Sequence, residues 1–347
     1  MTRPLSHVIF EATRACNLTC QYCYIPREAG EGHARHPPFS ALKRTIARLL
    51  RTVDFRHITF TGGEPLLVDG LKELALTCRL KGKGITVISN GTVGTHDDYA
   101  MLARLGVSLF EFPLHAAEPD VHDSLTGVSG SHARVLESIR GVGSTDADLC
   151  VVVVLTKMNA ALLPDTLELI RELGVTTVML ARFNIGGRGM DNIPRLVPSA
   201  EELRRAFATA ESYAQTTDLS ISSNVCVPHC LINPKDYPHI PIGSCGSDVT
   251  RRPITVDYDG NVRVCNHSPV VIGNLFTQSI DSMLCSDYVK GWNSIRPRYC
   301  DDCAHWAVCR GGCRAASEQM GMGLENEDPI IGITGPARPV KVSLPVT

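Results

Sequence analysis

The segment CNLTCQYC sets Cys16, Cys20 and Cys23 in a CxxxCxxC spacing directly after a short apolar stretch, HVIFEAT. Three thiolates hold three irons of a cubane 4Fe-4S cluster and leave the fourth iron without a protein ligand, free to bind something else. An open iron signals chemistry rather than scaffolding. A zinc site is the competing reading, but structural zinc favours two-plus-two CxxC pairs and a closed tetrahedron. Simple burial is another, since cysteine is among the residue types most often found inside. Neither accounts for the next motif along the chain.

Tyr22 precedes the third cysteine. Farther along, HITFTGGEPLL reads as a strand of branched and aromatic residues running into Gly62, Gly63, Glu64 and Pro65. Two glycines let backbone approach a ligand closely. In this order the two segments resemble the CxxxCxxC and GGEP motifs of the radical S-adenosylmethionine (radical SAM) superfamily. The resemblance implies that the open iron chelates the amino and carboxylate groups of SAM, that Tyr22 lies against the adenine, and that Glu64 accepts from the SAM ammonium group. It also implies reductive cleavage of SAM to a 5'-deoxyadenosyl radical.

Further positions take their roles from the same resemblance. Ser89 and Asn90, in ISNGT, stand where the family lines the SAM pocket. Arg134, in GSHARVLESI, stands where relatives carry a carboxylate-binding arginine, with a solvated helix arginine as the alternative. Relatives read S-L-D-G where this chain has Pro113, Leu114, His115 and Ala116, so the serine that would meet the SAM carboxylate is missing. ARFNIGGRG reads as a turn bordering the adenosine, with Arg182 and Arg188 as substrate or cofactor contacts.

From His7 to about residue 215, short β-rich runs alternate with helical patterns, as in a barrel of βα units. The strand segments are HVIFEAT, HITFTGG, GITVISN, VSLFEFPL, LCVVVVLTK and TTVMLARFN. Leu42, Ile46, Leu49, Leu50 and Val53 recur at helical spacing behind Ser40 as N-cap. Five later segments carry the same signal, the last being SAEELRRAFATAESYA. The expected fold is α/β: a partial (β/α)6 TIM-like barrel over residues 1–215, a small Cys-rich α+β domain over 216–330, and a tail over 331–347. Active residues of such barrels gather at the carboxyl ends of strands, where both motifs fall. Cys78 and Cys150 read as core. The polar Tyr24–Phe39 segment, with His33 and His36, reads as a loop over the barrel mouth.

Composition narrows the class. A formal net charge of -2 gives no electrostatic footprint for nucleic acid or an anionic membrane. No apolar run is long enough to span a bilayer and the start lacks a secretory signal, which predicts a cytoplasmic protein. Fourteen cysteines in such a chain point to metal rather than disulfides.

Nine of those cysteines lie between Cys226 and Cys313. Cys245, Gly260 and Cys265 form C-x14-G-x4-C, and Cys300, Cys303, Cys309 and Cys313 form CxxCx5CxxxC. ITVDYDGNVRVC has the alternation and Asp-Gly turn of a hairpin that delivers Cys265. Together these resemble the SPASM domain, an auxiliary cluster module of radical SAM enzymes; a zinc ribbon is the competing reading. The resemblance implies one or two auxiliary 4Fe-4S clusters. The first would use Cys245, Cys265 and Cys313, its fourth ligand open between His239, Cys226 and Cys230. The second would use Cys300, Cys303 and Cys309, completed by Asp328, with Glu325 and Glu327 as rivals. Cys285 is spare. Either Cys226 or Cys230, left free of iron, would serve as a hydrogen donor to a substrate radical.

By resemblance the protein is a radical SAM maturase that crosslinks or epimerises a ribosomally made peptide. The alternatives are oxidation of a small molecule, of the aminoglycoside dehydrogenase or tetrapyrrole decarboxylase type, and a non-catalytic iron-sulfur or zinc protein. Asn266 stands where sulfatase maturases place an aspartate base. The expected partners are a precursor peptide and an electron donor such as flavodoxin or ferredoxin. Because the barrel pattern starts almost at Met1, recognition is expected to use a separate peptide-recognition protein or direct leader binding.

Overall fold

The computed structural model describes residues 5–26, 36–246 and 252–334. Most of the Tyr24–Phe39 loop, including His33, and the tail from residue 335 lie outside them. Six strands form parallel neighbours in chain order: β1 (Leu5–Thr13), β2 (Phe55–Gly62), β3 (Gly84–Ile88), β4 (Val107–Pro113), β5 (Asp148–Leu155) and β6 (Thr177–Arg182). Each matches a strand expected from the β-branched runs. Between them lie α1 (Phe39–Thr52), α2 (Leu71–Leu80), α3 (His96–Arg104), α4 (Pro119–Thr126), α5 (Ser131–Gly143) and α6 (Leu163–Glu172). The turn α7 (Ile193–Leu196) and the helix α8 (Ala200–Thr216) come after β6.

Period two along the strands divides the sheet into two faces. Val8, Phe10, Ile58, Phe60, Ile85, Val87, Phe110, Phe112, Val151 and Val153 join helix residues such as Leu42, Ile46, Leu74 and Leu102 in one apolar cluster. Cys78 belongs to it, in register with Leu71, Leu74 and Ala75 of α2. The other phase, carrying His7, Glu11, His57, Thr59, Thr61, Thr86 and Glu111, turns to the concave side. Two local expectations change. Pro38, extended and without a side-chain bond, caps α1, so Ser40 lies inside the helix. A proline directly before a helix can start it without a capping hydroxyl. The helix α4, which the sequence pattern did not suggest, starts with Pro119 and ends on left-handed Gly127.

The sheet does not stop at six strands. The short β7 (Ser220–Ser222) extends it in parallel beyond β6. On the opposite edge β8 (Ile254–Asp257) pairs parallel with β1, placing Val8 opposite Ile254 and Glu11 opposite Asp257. Then β9 (Asn261–Arg263) and β10 (Val271–Asn274) continue the sheet antiparallel. The order is β10-β9-β8-β1-β2-β3-β4-β5-β6-β7, an open barrel whose first strand carries the cysteine-rich hairpin on its outer edge. The hairpin bends at Gly260, in the left-handed region at φ 84. Among the described residues no helix is long and apolar enough to cross a membrane.

Candidate metal centres

β1 delivers the first cysteines. Beyond Thr13 the chain leaves the sheet and the segment 14–26 folds over the carboxyl ends of the strands. The exit of β2 is pressed onto that segment: the Gly63 amide donates to the Thr13 carbonyl at 2.7 Å and the Glu64 amide to the Ala15 carbonyl at 2.9 Å. A Cβ on Gly62 would fall on the Thr13 carbonyl oxygen, and one on Gly63 on that of Ala15. Gly62 also sits at φ 137, which L side chains rarely adopt. The two glycines of GGEP therefore hold the backbone that leads into Cys16.

Glu64 is fully buried. Its carboxylate accepts from the Leu66 amide at 2.9 Å, the Ser89 hydroxyl at 2.9 Å and the Asn90 amide at 2.6 Å. Burial outweighs these bonds and pushes its pKa up to about 7. A carboxylate has roughly four acceptor positions, so about one is left for an ammonium group. Asn90 in turn directs its amide toward the Cys16 sulfur at 3.7 Å and to Asn17 at 2.8 Å. Pro65 opens a single turn behind Glu64. Arg134 lies exposed on α5.

Cys16, Cys20 and Cys23 share one neighbourhood, in which each thiolate disfavours the next. Burial raises Cys20 to about 12, and Cys23 and Cys16 push it the same way. Three clustered thiolates need a strong positive charge to coexist, which a multi-iron centre supplies. Tyr22 stands beside them with its ring edge-on to His115, the centroids 4.6 Å apart. Its hydroxyl meets His115 Nε2 at 2.6 Å. The Val154 amide points at His115 Nδ1 at 3.2 Å, so that nitrogen is the acceptor and Nε2 carries the proton. His115, in place of the family's aspartate, thus donates to Tyr22 and leaves the phenol proton for the Cys20 sulfur it also bonds.

The nine later cysteines resolve into two groups of four, with Cys285 exposed apart from them. Cys226 and Cys245 share a hydrogen bond, Cys226 feels the charge of Cys313, and Cys313 in turn feels Cys265 and Cys245. The second group is Cys230, Cys300, Cys303 and Cys309, each facing the others. Cys226 and Cys230, four residues apart, split between the two. This placement differs from two of the expectations. His239 is exposed, and its Nδ1 is taken up by Glu211 at 2.5 Å. Asp328 is not beside Cys300: it is buried, ion-paired with Arg182, and accepts the Cys313 amide at 2.7 Å. A carboxylate held by a guanidinium and two amides is already satisfied without iron, and Cys230 stands where a fourth ligand to the second group is needed.

Arg182 likewise differs from a substrate contact. It is fully buried at the end of β6 and donates to the Cys226 carbonyl at 2.8 Å and the Phe183 carbonyl at 3.1 Å. With Asp328 it ties both ends of the first group together. Arg188 donates to the Cys20 carbonyl at 3.3 Å, and the Gly189 amide to the Cys23 carbonyl at 3.1 Å. The glycine turn packs on the cysteine loop itself.

The cysteine-rich region closes over the same loop. Asn266 donates to the Tyr24 hydroxyl at 2.8 Å, His267 lies 3.8 Å from the Tyr24 ring, and Gln319 bonds the Tyr24 and His267 carbonyls and the Gly187 amide at 2.7 to 2.9 Å. Sequence reasoning gave no sign of Gln319, His267 or Tyr24. The pairing of Cys230 had one: two three-cysteine groups and two unassigned cysteines.

The donor sets fit iron-sulfur clusters. Among the described residues no three His, Cys, Asp or Glu side chains are gathered as tightly as one metal ion requires. A cubane instead takes one thiolate per iron, so its ligands stand apart. Three thiols at the barrel mouth would leave one iron of a cubane without a protein ligand, and each group of four has the thiol count a closed cubane would take.

Known proteins agree with this layout. The radical SAM superfamily model matches residues 10–170, and that of the SPASM iron-sulfur cluster-binding domain matches residues 245–305. A PqqA peptide cyclase from Rhodopseudomonas palustris is 24% identical over 338 residues, covering 94% of this chain and 86% of the relative. The mycofactocin maturase MftC from Mycolicibacterium smegmatis is 27% identical over 333 residues, covering 92% and 81%. Among solved structures, Streptococcus suis SuiB bound to S-adenosylmethionine superposes with a TM-score of 0.72 at 15% identity, covering 94% of this chain and 77% of that one. AnSMEcpe with bound AdoMet gives 0.73 at 15% identity, covering 95% and 91%.

Proposed function

The chain is a radical SAM enzyme with a C-terminal SPASM domain, and from that premise we propose that it modifies a ribosomally made peptide by hydrogen abstraction, forming a crosslink or inverting a stereocentre. One observation carries the reading: similarity to a peptide cyclase and a maturase runs through the barrel and the cysteine-rich region alike, over more than nine-tenths of the chain. A neighbour of the same fold has been solved with a precursor peptide.

Cys16, Cys20 and Cys23 would hold the cluster that binds SAM; Cys226, Cys245, Cys265 and Cys313, and separately Cys230, Cys300, Cys303 and Cys309, would hold two auxiliary clusters. When bound, the first cluster with SAM supplies a 5'-deoxyadenosyl radical, which takes a hydrogen atom from an unactivated carbon. The protein's share is placement. Gly62 and Gly63 set the cysteine loop on the strand ends, Glu64 keeps an acceptor position for the SAM ammonium, and Ser89 and Asn90 fix that carboxylate. Tyr22 is held by His115 beside Cys20. With both Cys226 and Cys230 inside thiol groups, neither is free to return a hydrogen, which favours bond formation over epimerisation.

The test is anaerobic reconstitution followed by incubation with SAM, a reductant and the short peptide encoded beside the gene. Formation of 5'-deoxyadenosine together with a mass change confined to the peptide is expected. SAM cleavage that leaves every such peptide intact, even with its recognition protein added, would overturn the peptide reading.

A further inference from the structure

Two guanidinium groups lie beside the first four-cysteine group without a carboxylate partner. Arg252 directs Nη1 to the Cys245 sulfur at 3.5 Å and Nη2 to the Val264 carbonyl at 2.9 Å, and it lies over the Trp292 ring at 4.7 Å. Its Nε is buried with no partner. Arg314, the residue after Cys313, is buried; Nη2 donates to the Ile295 carbonyl at 2.9 Å and Nη1 has no partner. The two cations repel each other. Other buried arginines nearby are neutralised, Arg182 by Asp328 and Arg263 by Glu11. Among the described residues neither Arg252 nor Arg314 forms an ion pair. Glu318 feels the charge of both arginines, but its carboxylate accepts from the Tyr288 hydroxyl at 2.6 Å and the Ser268 hydroxyl at 3.0 Å rather than from a guanidinium.

Two like charges that feel each other, Arg314 buried and Arg252 half-buried, are costly unless something negative stands against them. A four-iron centre bound by four thiolates is an anion, and Arg252 points at one of its sulfurs. The second group has a different field. Arg314 reaches toward Cys300, but so does Glu327, whose charge has the opposite sign. Hydrogen bonding does not separate the two groups. Asn184 and the His267 amide serve Cys313 and Cys265 at 3.5 Å, and the His229 amide serves Cys309 at 3.3 Å. Fixed charge is what distinguishes them.

We infer that Arg252, assisted by Arg314, is the counter-charge of the centre held by Cys226, Cys245, Cys265 and Cys313, and that it sets the reduction potential of that centre above the one held by Cys230, Cys300, Cys303 and Cys309. Adding an electron makes a cluster more negative, and a fixed cation at low dielectric stabilises that state more than the oxidised one. The centre next to the barrel mouth's loop clamp is thereby the readier electron acceptor of the two. Arg252 acts as a tuning residue that touches neither SAM nor substrate.

The inference rests on the proposal that both groups hold clusters, and potentiometric titration of the reconstituted enzyme, followed by electron paramagnetic resonance, separates the two. The SAM-binding centre is identified by its response to added SAM, leaving two auxiliary midpoints. R252Q is expected to shift the more positive of them to lower potential and leave the other in place, while R252K restores it. E327Q, a change away from the first group, is expected to raise the lower midpoint and narrow the gap, so the idea stays testable even should R252Q fail to fold. Wild-type protein holding about four irons in place of about twelve would sink both the cluster assignment and the inference. Full iron with midpoints unmoved by R252Q, or by E327Q where R252Q does not fold, would sink the inference alone.

Discussion

Gly63 shows how little room the initiating loop has. Alanine there would place a methyl group on the Ala15 carbonyl oxygen, and backbone rather than a flexible side chain would have to yield. G63A is expected to lose the irons of the first centre, about four of about twelve, while the auxiliary irons remain; iron and sulfide counts check this. Glu111 offers a pH signature. It faces the concave side of β4 and burial alone raises it to about 7. Its folded value exceeds the unfolded one, so the native state binds the extra proton and stability falls as pH rises toward and through 7. The penalty at pH 8 is at most about 3 kcal/mol. E111Q is therefore expected to melt higher than wild type at pH 8, with the difference vanishing near pH 4.5; equal melting shifts at both values would contradict the assignment. The cysteine trio and GGEP were legible in the sequence because their spacing is itself the constraint. His115, Gln319 and the Arg182–Asp328 pair were not, since each acts across more than forty residues of chain and no local pattern marks them.

The six barrel strands were readable, because β-branched runs such as VVVV bury on one face whatever their partners are, while the short β7 and β10 carry no such run within their bounds. Boundaries set by special chemistry were less so: Pro38 took the cap position that Ser40 was expected to fill. The end of β6 is a second case. ARFNIGGRG looks like a ligand loop, yet Arg182 turns inward and, with Asp328, fastens the Cys226 carbonyl to the Cys313 amide. Removing one partner of a buried ion pair strands the other, at a cost of about 3–5 kcal/mol. R182M and D328N are each expected to lose the irons of the first auxiliary centre and keep the second. C230A is expected to do the reverse. If D328N instead emptied the second centre while C230A spared it, the division of the cysteines into these two groups would be wrong. The sequence left this choice open because Cys226 and Cys230 are equivalent at the level of spacing; only the third dimension sends them to different groups.

Across the molecule, one continuous sheet joins what the cysteine pattern suggested were two units. The barrel pattern ended near residue 215, but β7 lengthens one edge and β8 to β10 the other. A chain ending at 215 would strip β8 from β1 and bare a row of unpaired amides and carbonyls along Leu5–Thr13. That truncation is expected to be insoluble or aggregated, measured by sedimentation of the expressed protein; a monomeric, iron-loaded fragment would show that the barrel does not need the later strands. Gln319 adds a lighter tie, and Q319A is expected to leave iron content intact while SAM turnover falls, as the Tyr24 carbonyl in the loop after Cys23 loses its bond and so do the His267 carbonyl and Gly187 amide beside it. Because β1 and β8 lie in one hydrogen-bonded ladder, the strand that delivers Cys16 and the hairpin that delivers Cys265 are built on a shared chassis. Their spacing is then a manufactured dimension rather than a hinge setting, and any electron hopping between the first centre and its auxiliary neighbour crosses the same gap on every turnover.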